Sequence, residues 1–361
     1  MSRKAKDTFQ KAAVYFSAGF TVMILAVIIG FIVIKGAPGI SLHFLTSDYD
    51  DKTTYVTVAS DMDAGHVTEG TIEKLGITLQ ANEKGEFVIV QMEGSSPLKD
   101  SLNPKGKKYP VKKGDLITKA ENPDAATLKL KIVRPGGGIV PMVVTTIYMI
   151  LLSMLIAAPV SIMAAIYLIE YARPGKRMSV IHFAIENLAG IPSIIYGLFG
   201  SLFFVKVCQF QYSILSGAMT LSMILLPTLI TTTEEALKAI PKTYRESSLG
   251  LGATKLQTIS RVVLPNALPG ILVAVLLSIG RIVGESAALL LTSGTVAQIP
   301  KALFGNSASG ATLTIKAYTL MKEENDLTTA CAIGIVLLVI IIVLNFASKM
   351  VTKKLLSKKG A

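Results

Sequence analysis

One stretch decides the fold: ESSLGLGATKLQTISRVVLP, which occupies residues 246–265 between two long apolar runs. It follows Pro241, which suits the first turn of a helix because its φ is fixed and its missing N–H has no partner there. Gly250 and Gly252 then interrupt the helical pattern, since glycine adopts backbone conformations that other residues avoid. The stretch is therefore predicted to be a short amphipathic helix that glycines break before the next apolar segment.

The apolar runs around this stretch are long enough to cross a bilayer. A bilayer core about 30 Å thick needs roughly 20 apolar residues per helix, because backbone hydrogen bonds must close inside the segment. The chain has 361 residues and is 17% charged, against about 25% in a soluble domain. The first run exceeds the length of a typical signal-peptide core, so we expect a membrane helix there. The six predicted spans are 12–36, 139–170, 181–207, 212–233, 264–292 and 327–348.

The distribution of positive charge predicts the orientation of these helices. The net charge is +12, but residues 40–135 are nearly neutral, with 13 basic and 14 acidic residues. The surplus lies at the two termini and in the loops 171–180 and 234–262, which share one side if six helices alternate. The positive-inside rule then places both termini in the cytosol, and residues 37–138 and 293–326 outside. Charge dispersed along membrane flanks argues against a nucleic-acid-binding protein.

A polar segment between the first two spans has a different pattern. Its glycines and prolines, among them Gly85 and Pro110, separate short apolar or alternating runs that predict β-strands at Thr53–Val58, Phe87–Met92 and Thr127–Val133. Pro135 and the three glycines after it form a hinge-like linker into the second span.

The same segment resembles PDZ domains in the order of four signatures. These are Leu75–Leu79, Ser96–Leu98, Val111–Ile117 and Leu128–Arg134. An insertion at Asn103–Pro110 departs from the PDZ pattern, so an unrelated small β-domain stays open as the alternative. A PDZ-like module would imply that a peptide adds as a strand to its edge.

The spacing within residues 246–265 is similar to that of the EAA loop of ABC importer permeases. The family pattern is Glu-Ala-Ala, three residues, Gly, nine residues, Ile, any residue and Leu-Pro. The chain has Glu246-Ser247-Ser248, Gly252 and Val262-Val263-Leu264-Pro265 at the same spacing, with small substitutions only. The resemblance implies a loop at 234–265 that couples the chain to a separate ATPase. The implied coupling residues are Glu246, Ser247, Ser248, Gly252, Leu264 and Pro265.

Three further stretches resemble the PstA-type phosphate permeases. They are ENLAGIPSIIYGLFG at 186–200, GRIVGESAA at 280–288 and IYLIEY at 166–171. The resemblance covers about 139–350 and the first helix, and it leaves out 45–135. It implies a permease subunit of an ATP-driven importer for inorganic phosphate in the bacterial cytoplasmic membrane. The implied partners are a second homologous permease in a heterodimer, two ATPase subunits that carry ATP and Mg²⁺, and an external phosphate-binding protein. This chain itself is expected to bind no cofactor and to hydrolyse nothing.

The fifth predicted helix carries charge inside an apolar run. A charge in a bilayer is costly, and such residues usually pair and face the protein interior or a water-filled path. Arg281 and Glu285 are four residues apart and can pair on one helix. The planar guanidinium donates two parallel hydrogen bonds to phosphate oxygens, and a paired carboxylate would hold it ready. The alternative is a permanent ion pair that fixes packing. The predicted pathway stripe is Ser278, Arg281, Glu285 and Thr292.

Two glycines beside this stripe suggest close helix packing rather than substrate binding. Gly280 and Gly284 form a Gly-x-x-x-Gly step, which permits close approach of two membrane helices. Thr145 and Thr146, near the outer end of the second span, are weaker candidates for anion contact, because membrane threonines more often bond to backbone carbonyls.

Several other functions lack their motifs. The sequence contains no phosphate-cradling Gly-x-x-x-x-Gly-Lys-Ser/Thr and no His-Glu-x-x-His, and His43, His66 and His182 lie far apart. Cys208 and Cys331 lie in apolar contexts without disulfide or zinc spacing. The open alternatives are a permease for sulfate or molybdate, an amino-acid or metal-chelate importer, a non-transporting scaffold, and a regulated intramembrane protease with a PDZ-like module.

The sequence thus predicts an all-α polytopic membrane protein of six transmembrane helices, the architecture of type I ABC importer permeases, with an inserted small β-rich domain. The predicted divisions are 1–38 for the N-terminus and first helix, 39–135 for the external domain, 136–352 for the permease core and 353–361 for a basic cytosolic tail.

Overall fold

The computed structural model separates the chain into two compact units. It describes residues 3–50, 52–59, 62–81, 86–104, 106–124, 127–134, 136–303, 305 and 308–357. One unit combines Met1–Leu42 with Pro141–Ala361 and is helical, whereas His43–Val140 contains the β-strands. Gly85, Pro135 and residues 358–361 of the predicted tail lie outside the described residues.

Long helices joined by short ones make up the helical part of the chain. In chain order the helices are α1 (Arg3–Gly36), α2 (Leu42–Thr46), α3 (Val140–Ile166), α4 (Lys176–Ala189), α5 (Ser193–Gly200), α6 (Ile214–Lys238), α7 (Lys242–Gly250), α8 (Lys255–Thr258), α9 (Leu264–Gly284), α10 (Ala287–Leu290), α11 (Leu313–Lys322) and α12 (Leu327–Ser357). Wider π-helical turns directly follow α3, α5 and α8, at Tyr167–Tyr171, Ser201–Val207 and Ile259–Val263.

Within the described residues, five helical segments are long and apolar enough to cross a membrane. They are Lys11–Gly39, Val140–Tyr171, Ile214–Lys238, Lys255–Gly284 and Leu327–Ala347. A sixth span results if the bent pair Lys176–Ala189 and Ser193–Val207 counts as one. Each predicted run therefore corresponds to one helical segment or to the bent pair.

The third span is broken at Gly190–Pro192, where its two halves meet at 94°. Pro192 has no N–H to donate and holds an extended backbone (φ −58°, ψ 139°), so it cannot continue α4. The Tyr196 hydroxyl donates to the Leu188 carbonyl at 2.9 Å, which satisfies one carbonyl at the end of α4. The sequence predicts only a loosened helix here, and the structure shows two separate ones.

Helix α6 forms the centre of the helical unit, and small residues let its neighbours approach it. A Cβ on Gly200 would overlap the Thr220 hydroxyl of α6, and one on Gly197 would come within 2.7 Å of the Ala288 Cα. The buried core around α6 consists of Met149, Ala157, Tyr196, Ile214, Ala218, Leu221, Ile224, Leu225, Leu229, Ala274, Ile282, Ala288, Leu289, Ala311 and Ile315.

The packing role predicted for Gly280 and Gly284 stays a prediction. A Cβ on either glycine would meet no described atom of another element within 4 Å. The close approaches lie instead at Gly197 and Gly200, because α5 and α10 pack against each other and against α6.

The second unit is a six-stranded antiparallel sheet with the strand order β1-β6-β5-β4-β3-β2. Its strands are β1 (Lys52–Ala59), β2 (Gly70–Ile72), β3 (Ile77–Ala81), β4 (Phe87–Met92), β5 (Leu116–Asp124) and β6 (Thr127–Arg134). Strand β6 alternates, with Leu128, Leu130 and Ile132 fully buried between more exposed neighbours. The strands β1, β4 and β6 confirm the three predicted runs.

A partly buried ion pair braces this sheet. The Nε and Nη2 atoms of Arg134 donate to the two carboxylate oxygens of Asp115 at 2.8 and 2.7 Å. The Asp115 side chain is almost fully buried, and its carboxylate also accepts from the Lys112 N–H. Hydrogen bonding to Asp115 raises the pKa of the Arg134 guanidinium above its ordinary value.

The resemblance to PDZ domains stays a prediction. The sheet exists, and the inserted Asn103–Pro110 segment folds back so that Leu102 pairs with both Thr57 and Lys108. Among the described residues between β1 and β6, the helical turns are three short 3₁₀ turns, at Ala64–His66, Glu73–Leu75 and Pro97–Asp100.

Candidate functional site

The loop predicted to couple to an ATPase consists of two short helices and a glycine turn. Helix α7 begins after Pro241, whose extended backbone ends the preceding segment. Gly252 adopts φ +86°, a left-handed conformation that favours glycine. Thr254 and Gln257 then form a capping box that starts α8, because each side chain bonds to the other's backbone N–H. The π turn Ile259–Val263 leads into α9.

This loop exposes apolar side chains. Helix α7 has no buried residue, and Leu251, just after it, is 89% exposed. Tyr244, Leu249 and Leu256 are also exposed. A groove in the surface is lined by Thr243, Tyr244, Ser247, Ser248, Leu251 and Val262. Clustered exposed apolar residues in an otherwise polar segment are typical of a protein-binding surface.

The predicted coupling residues lie along this surface in different environments. Glu246, Ser247, Gly252 and Pro265 are exposed, and Leu264 is half-buried. Ser248 faces the return segment, where its hydroxyl lies 2.9 Å from that of Thr258. The small serine thus lets α7 and α8 pack together.

Arg245 anchors the coupling loop and was not predicted from the sequence. Its Nε donates to the Oε1 atom of Glu170 at 2.9 Å. Its Nη1 and Nη2 donate to the carbonyls of Ile240 and Leu237 at 2.8 and 2.9 Å. Glu170 lies in the IYLIEY stretch that was matched to the phosphate permeases, but nothing in a single sequence links two positions 75 residues apart.

A second buried charge lies nearby in sequence, at the end of α6. The Glu234 side chain is 4% exposed, and its Oε2 atom accepts from Lys238 Nζ at 3.1 Å. His182 Nδ1 of α4 lies 3.8 Å from the same oxygen, while Oε1 has no hydrogen-bond partner in the described part of the chain. The His182 ring of α4 therefore lies near the Glu234 carboxylate of α6, beyond hydrogen-bond distance.

Arg281 lies on the last turn of α9, where its Nη1 donates to the Thr228 hydroxyl of α6 at 3.0 Å. The predicted pair with Glu285 is wrong. Helix α9 ends at Gly284, so Glu285 has an extended backbone (φ −79°, ψ 124°), and no ion pair is recorded between these two described residues. The Glu285 carboxylate instead accepts from the Ala288 N–H at 3.2 Å and starts α10.

The remaining pathway candidates are buried, and each bonds to a backbone carbonyl four residues earlier. Ser278 donates to the Ala274 carbonyl at 2.9 Å, and Thr292 donates to the Ala288 carbonyl at 2.8 Å. Because the helix breaks after Gly284, Thr292 does not continue the α9 stripe. The structure thus leaves Arg281 as the half-buried, charged member of α9.

The threonines of the second span differ from each other. Thr146 donates to the Met142 carbonyl at 2.7 Å and accepts from the Leu313 N–H at 3.1 Å, which confirms the expected carbonyl bond. Thr145 is fully buried, and its hydroxyl has no partner among the described atoms. The described residues contain no group of His, Cys, Asp and Glu suited to a metal ion.

Comparison with known proteins identifies the family to which most of the helical unit is similar. Residues 157–357 match the family model described as "Binding-protein-dependent transport system inner membrane component". The chain is 37% identical to the probable ABC transporter permease protein YqgI of Bacillus subtilis over 46% of this chain and 57% of that protein. It is 36% identical to YqgH of the same organism over 57% of this chain and 68% of that protein.

A phosphate permease and a solved structure are also similar. The phosphate transport system permease protein PstA 1 of Mycobacterium tuberculosis (strain CDC 1551 / Oshkosh) is 32% identical over 60% of this chain and 71% of that protein. The MetNI methionine ABC transporter, solved in inward-facing conformations, matches with a TM-score of 0.48 and 20% identity over 60% of this chain and 94% of that chain. The chain spans little more than half the length of YqgI.

The family match covers more than half of the chain and includes α4 to α12, with residues 234–265 and Arg281 among them. This chain belongs to the family of binding-protein-dependent transport system inner membrane components.

Proposed function

We propose that this chain is the transmembrane permease subunit of an ATP-driven importer that moves inorganic phosphate across the bacterial cytoplasmic membrane. Membership of a family of transport-system membrane components supports the permease role over an enzymatic one. Phosphate is supported by the similarity to proteins named as phosphate transport system permeases from Mycobacterium and Mycoplasma.

The environment of Arg281 is the observation that supports an anion as the transported substrate. The Arg281 guanidinium lies on an apolar helix and donates to a neutral hydroxyl, that of Thr228. Nη1 is occupied, so Nε and Nη2 remain to donate two parallel hydrogen bonds to one oxyanion. A cation without a carboxylate partner in an apolar environment favours an anion there.

The ATPase would dock on the exposed surface of α7 and α8. The exposed apolar residues Tyr244, Leu249 and Leu251 supply the buried contact, and Glu246 and Ser247 supply polar contacts beside it. ATP and Mg²⁺ are expected on that partner, and none is assigned to this chain. Cross-linking a cysteine at the exposed Ser247 to the ATPase tests this arrangement, because a scaffold protein would show no ATP-dependent contact.

A second, homologous permease is the proposed partner inside the membrane. A Cβ on Gly280 or Gly284 would meet no atom of another element in the described residues within 4 Å, so a helix of another subunit can approach α9 closely there. Two ATPase subunits and an external phosphate-binding protein complete the proposed assembly.

The proposed orientation follows the positive charge. Both termini and the 234–265 loop lie in the cytosol, and the sheet of residues 39–135 lies outside. Closure of the ATPase pair on ATP would draw the coupling loops together and favour an outward-open packing, and hydrolysis would restore the inward-open one.

The test is uptake of radiolabelled phosphate, sulfate and molybdate by the assembled transporter in a strain that lacks its own phosphate importer. Uptake of phosphate alone is the expected result. Uptake of sulfate or molybdate instead would establish the alternative of another small oxyanion, and no uptake with intact assembly would favour the scaffold.

A further inference from the structure

Three separate elements converge on the side chain of Arg245. The residue belongs to α7, its Nε bonds to Glu170 beside α3, and its other nitrogens bond to two carbonyls at the end of α6. The Glu170 side chain is only 8% exposed and that of Arg245 only 18%, so water competes weakly for these bonds. Charge-assisted hydrogen bonds at low exposure are stronger than surface ion pairs.

A second contact joins the same elements. Lys255, at the start of α8, lies 4.9 Å above the ring of Tyr171, the neighbour of Glu170 in the π turn. The loop is therefore attached to the end of α3 on both sides of its glycine turn, through Arg245 before Gly252 and through Lys255 after it.

Two π-helical turns meet beneath these contacts. Ile169 of the turn after α3 and Val263 of the turn before α9 belong to one apolar cluster. The buried members of that cluster are Ala165, Leu237, Val263, Ala267 and Ile271. Single π turns inside helices are uncommon and often mark functional sites. The cluster thus joins the end of α3, the end of α6 and the start of α9 next to the contacts that Arg245 makes.

We propose that Glu170 and Arg245 form a clasp that transmits the movement of α7 to α3. This inference rests on the proposed coupling of the 234–265 loop to an ATPase. Both are positioning residues: they contact neither nucleotide nor substrate, and their charged bond fixes the loop to the membrane helix. Without the clasp, an attached ATPase still hydrolyses ATP, but α7 moves without displacing α3.

The experiment compares Glu170→Gln and Arg245→Lys in the complete transporter reconstituted into vesicles. Glu170→Gln keeps the shape but removes the charge, and Arg245→Lys keeps the charge but loses the three-way donation. Glu323→Gln and Arg177→Lys are matched controls, since both residues are exposed and neither has a recorded ion pair in the described chain. The measured quantity is phosphate ions imported per ATP hydrolysed, with sulfate and molybdate tested in parallel.

We expect each clasp variant to lower this ratio by about tenfold, the effect of one lost charge-assisted hydrogen bond, while ATPase activity and assembly persist. The controls should match the wild type. An unchanged ratio in Glu170→Gln overturns the clasp, and so does loss of assembly in both variants, which would make the bond purely structural. If the wild type imports sulfate or molybdate instead of phosphate, the phosphate proposal fails. The clasp is then tested on the number of sulfate or molybdate ions imported per ATP hydrolysed.

Discussion

The Nη1 atom of Arg281 lies 3.0 Å from the hydroxyl oxygen of Thr228, so a neutral group of α6 orients the cation of α9. A hydroxyl restricts the direction of the guanidinium without neutralising its charge. The arrangement suits an anion that must bind and then leave, because a carboxylate in the same place would compete with it permanently.

Replacement of the cation should stop transport. We expect Arg281→Gln to abolish phosphate uptake while the transporter assembles normally, and Arg281→Lys to retain partial uptake, because lysine keeps the charge but not the planar fork. Uptake of radiolabelled phosphate and co-purification of the subunits are the two measurements. Wild-type uptake by Arg281→Gln would remove this residue from the pathway.

Removal of the orienting hydroxyl should weaken phosphate binding without abolishing transport. Thr228→Val keeps the shape of the side chain, and we expect the KM for phosphate uptake to rise about three- to tenfold. Thr231→Val is the matched control, because Thr231 lies on the same helix and donates to the carbonyls of Pro227 and Thr228 rather than contacting Arg281. Equal KM values in the two variants would contradict the orienting role.

Substitutions on the coupling surface should separate ATP hydrolysis from transport. Glu246→Lys reverses an exposed charge, and Gly252→Asp forces a side chain onto a backbone with φ +86°. In both variants we expect ATPase activity that no longer depends on transport. Gly250→Ala should stay coupled, because Gly250 lies in α7 and has open space for a Cβ. Normal coupling in Glu246→Lys and Gly252→Asp together would count against docking at this surface.

Replacing a glycine by alanine should change stability differently at closely packed and at open positions. Gly200→Ala places a Cβ against the Thr220 hydroxyl and should destabilise the solubilised chain by about 1–3 kcal/mol. Gly280→Ala should be neutral or slightly stabilising in the same thermal unfolding measurement, because its Cβ meets open space and alanine favours helix. The bulkier Gly280→Leu should instead prevent association with the second permease, and full association would argue against packing at this face.

The ion pair of the β-sheet unit should carry much of that unit's stability. Asp115→Asn removes the charge that Arg134 contacts and should cost about 2 kcal/mol, detected as faster amide hydrogen exchange in β5 and β6 of the intact chain. Glu121→Gln breaks only an exposed pair with Lys119 and should leave exchange unchanged. Equal exchange in the two variants would show that the buried pair contributes nothing.

Hydrophobic runs predict most of the helical unit because lipid imposes the length and polarity of a span, whatever its neighbours are. They fail where tertiary contacts end a helix. The apolar run at 264–292 continues past Gly284, yet the chain turns at Glu285, whose carboxylate starts α10. Nothing in the run itself marks that turn, so the predicted Arg281–Glu285 pair was wrong.

The candidate site also has parts that local sequence patterns predict and parts that depend on tertiary contacts. The spacing around Glu246 and Gly252 predicts the coupling surface, because that signal is local in sequence. Arg245 was missed although it is the neighbour of Glu246, since its partner Glu170 lies on another helix. Contacts between distant positions become visible only in three dimensions.

The break in the third span changes what that span can do. A continuous helix can only tilt or slide, but two helices that meet at 94° can each follow a different neighbour. The first half lies near α6 where the His182 ring approaches Glu234, and the second half contacts Ala288 at Gly197. The Tyr196 hydroxyl donates to the Leu188 carbonyl at the exposed end of α4. The angle between the two helices can therefore change while this carbonyl keeps a hydrogen-bond donor in an apolar environment.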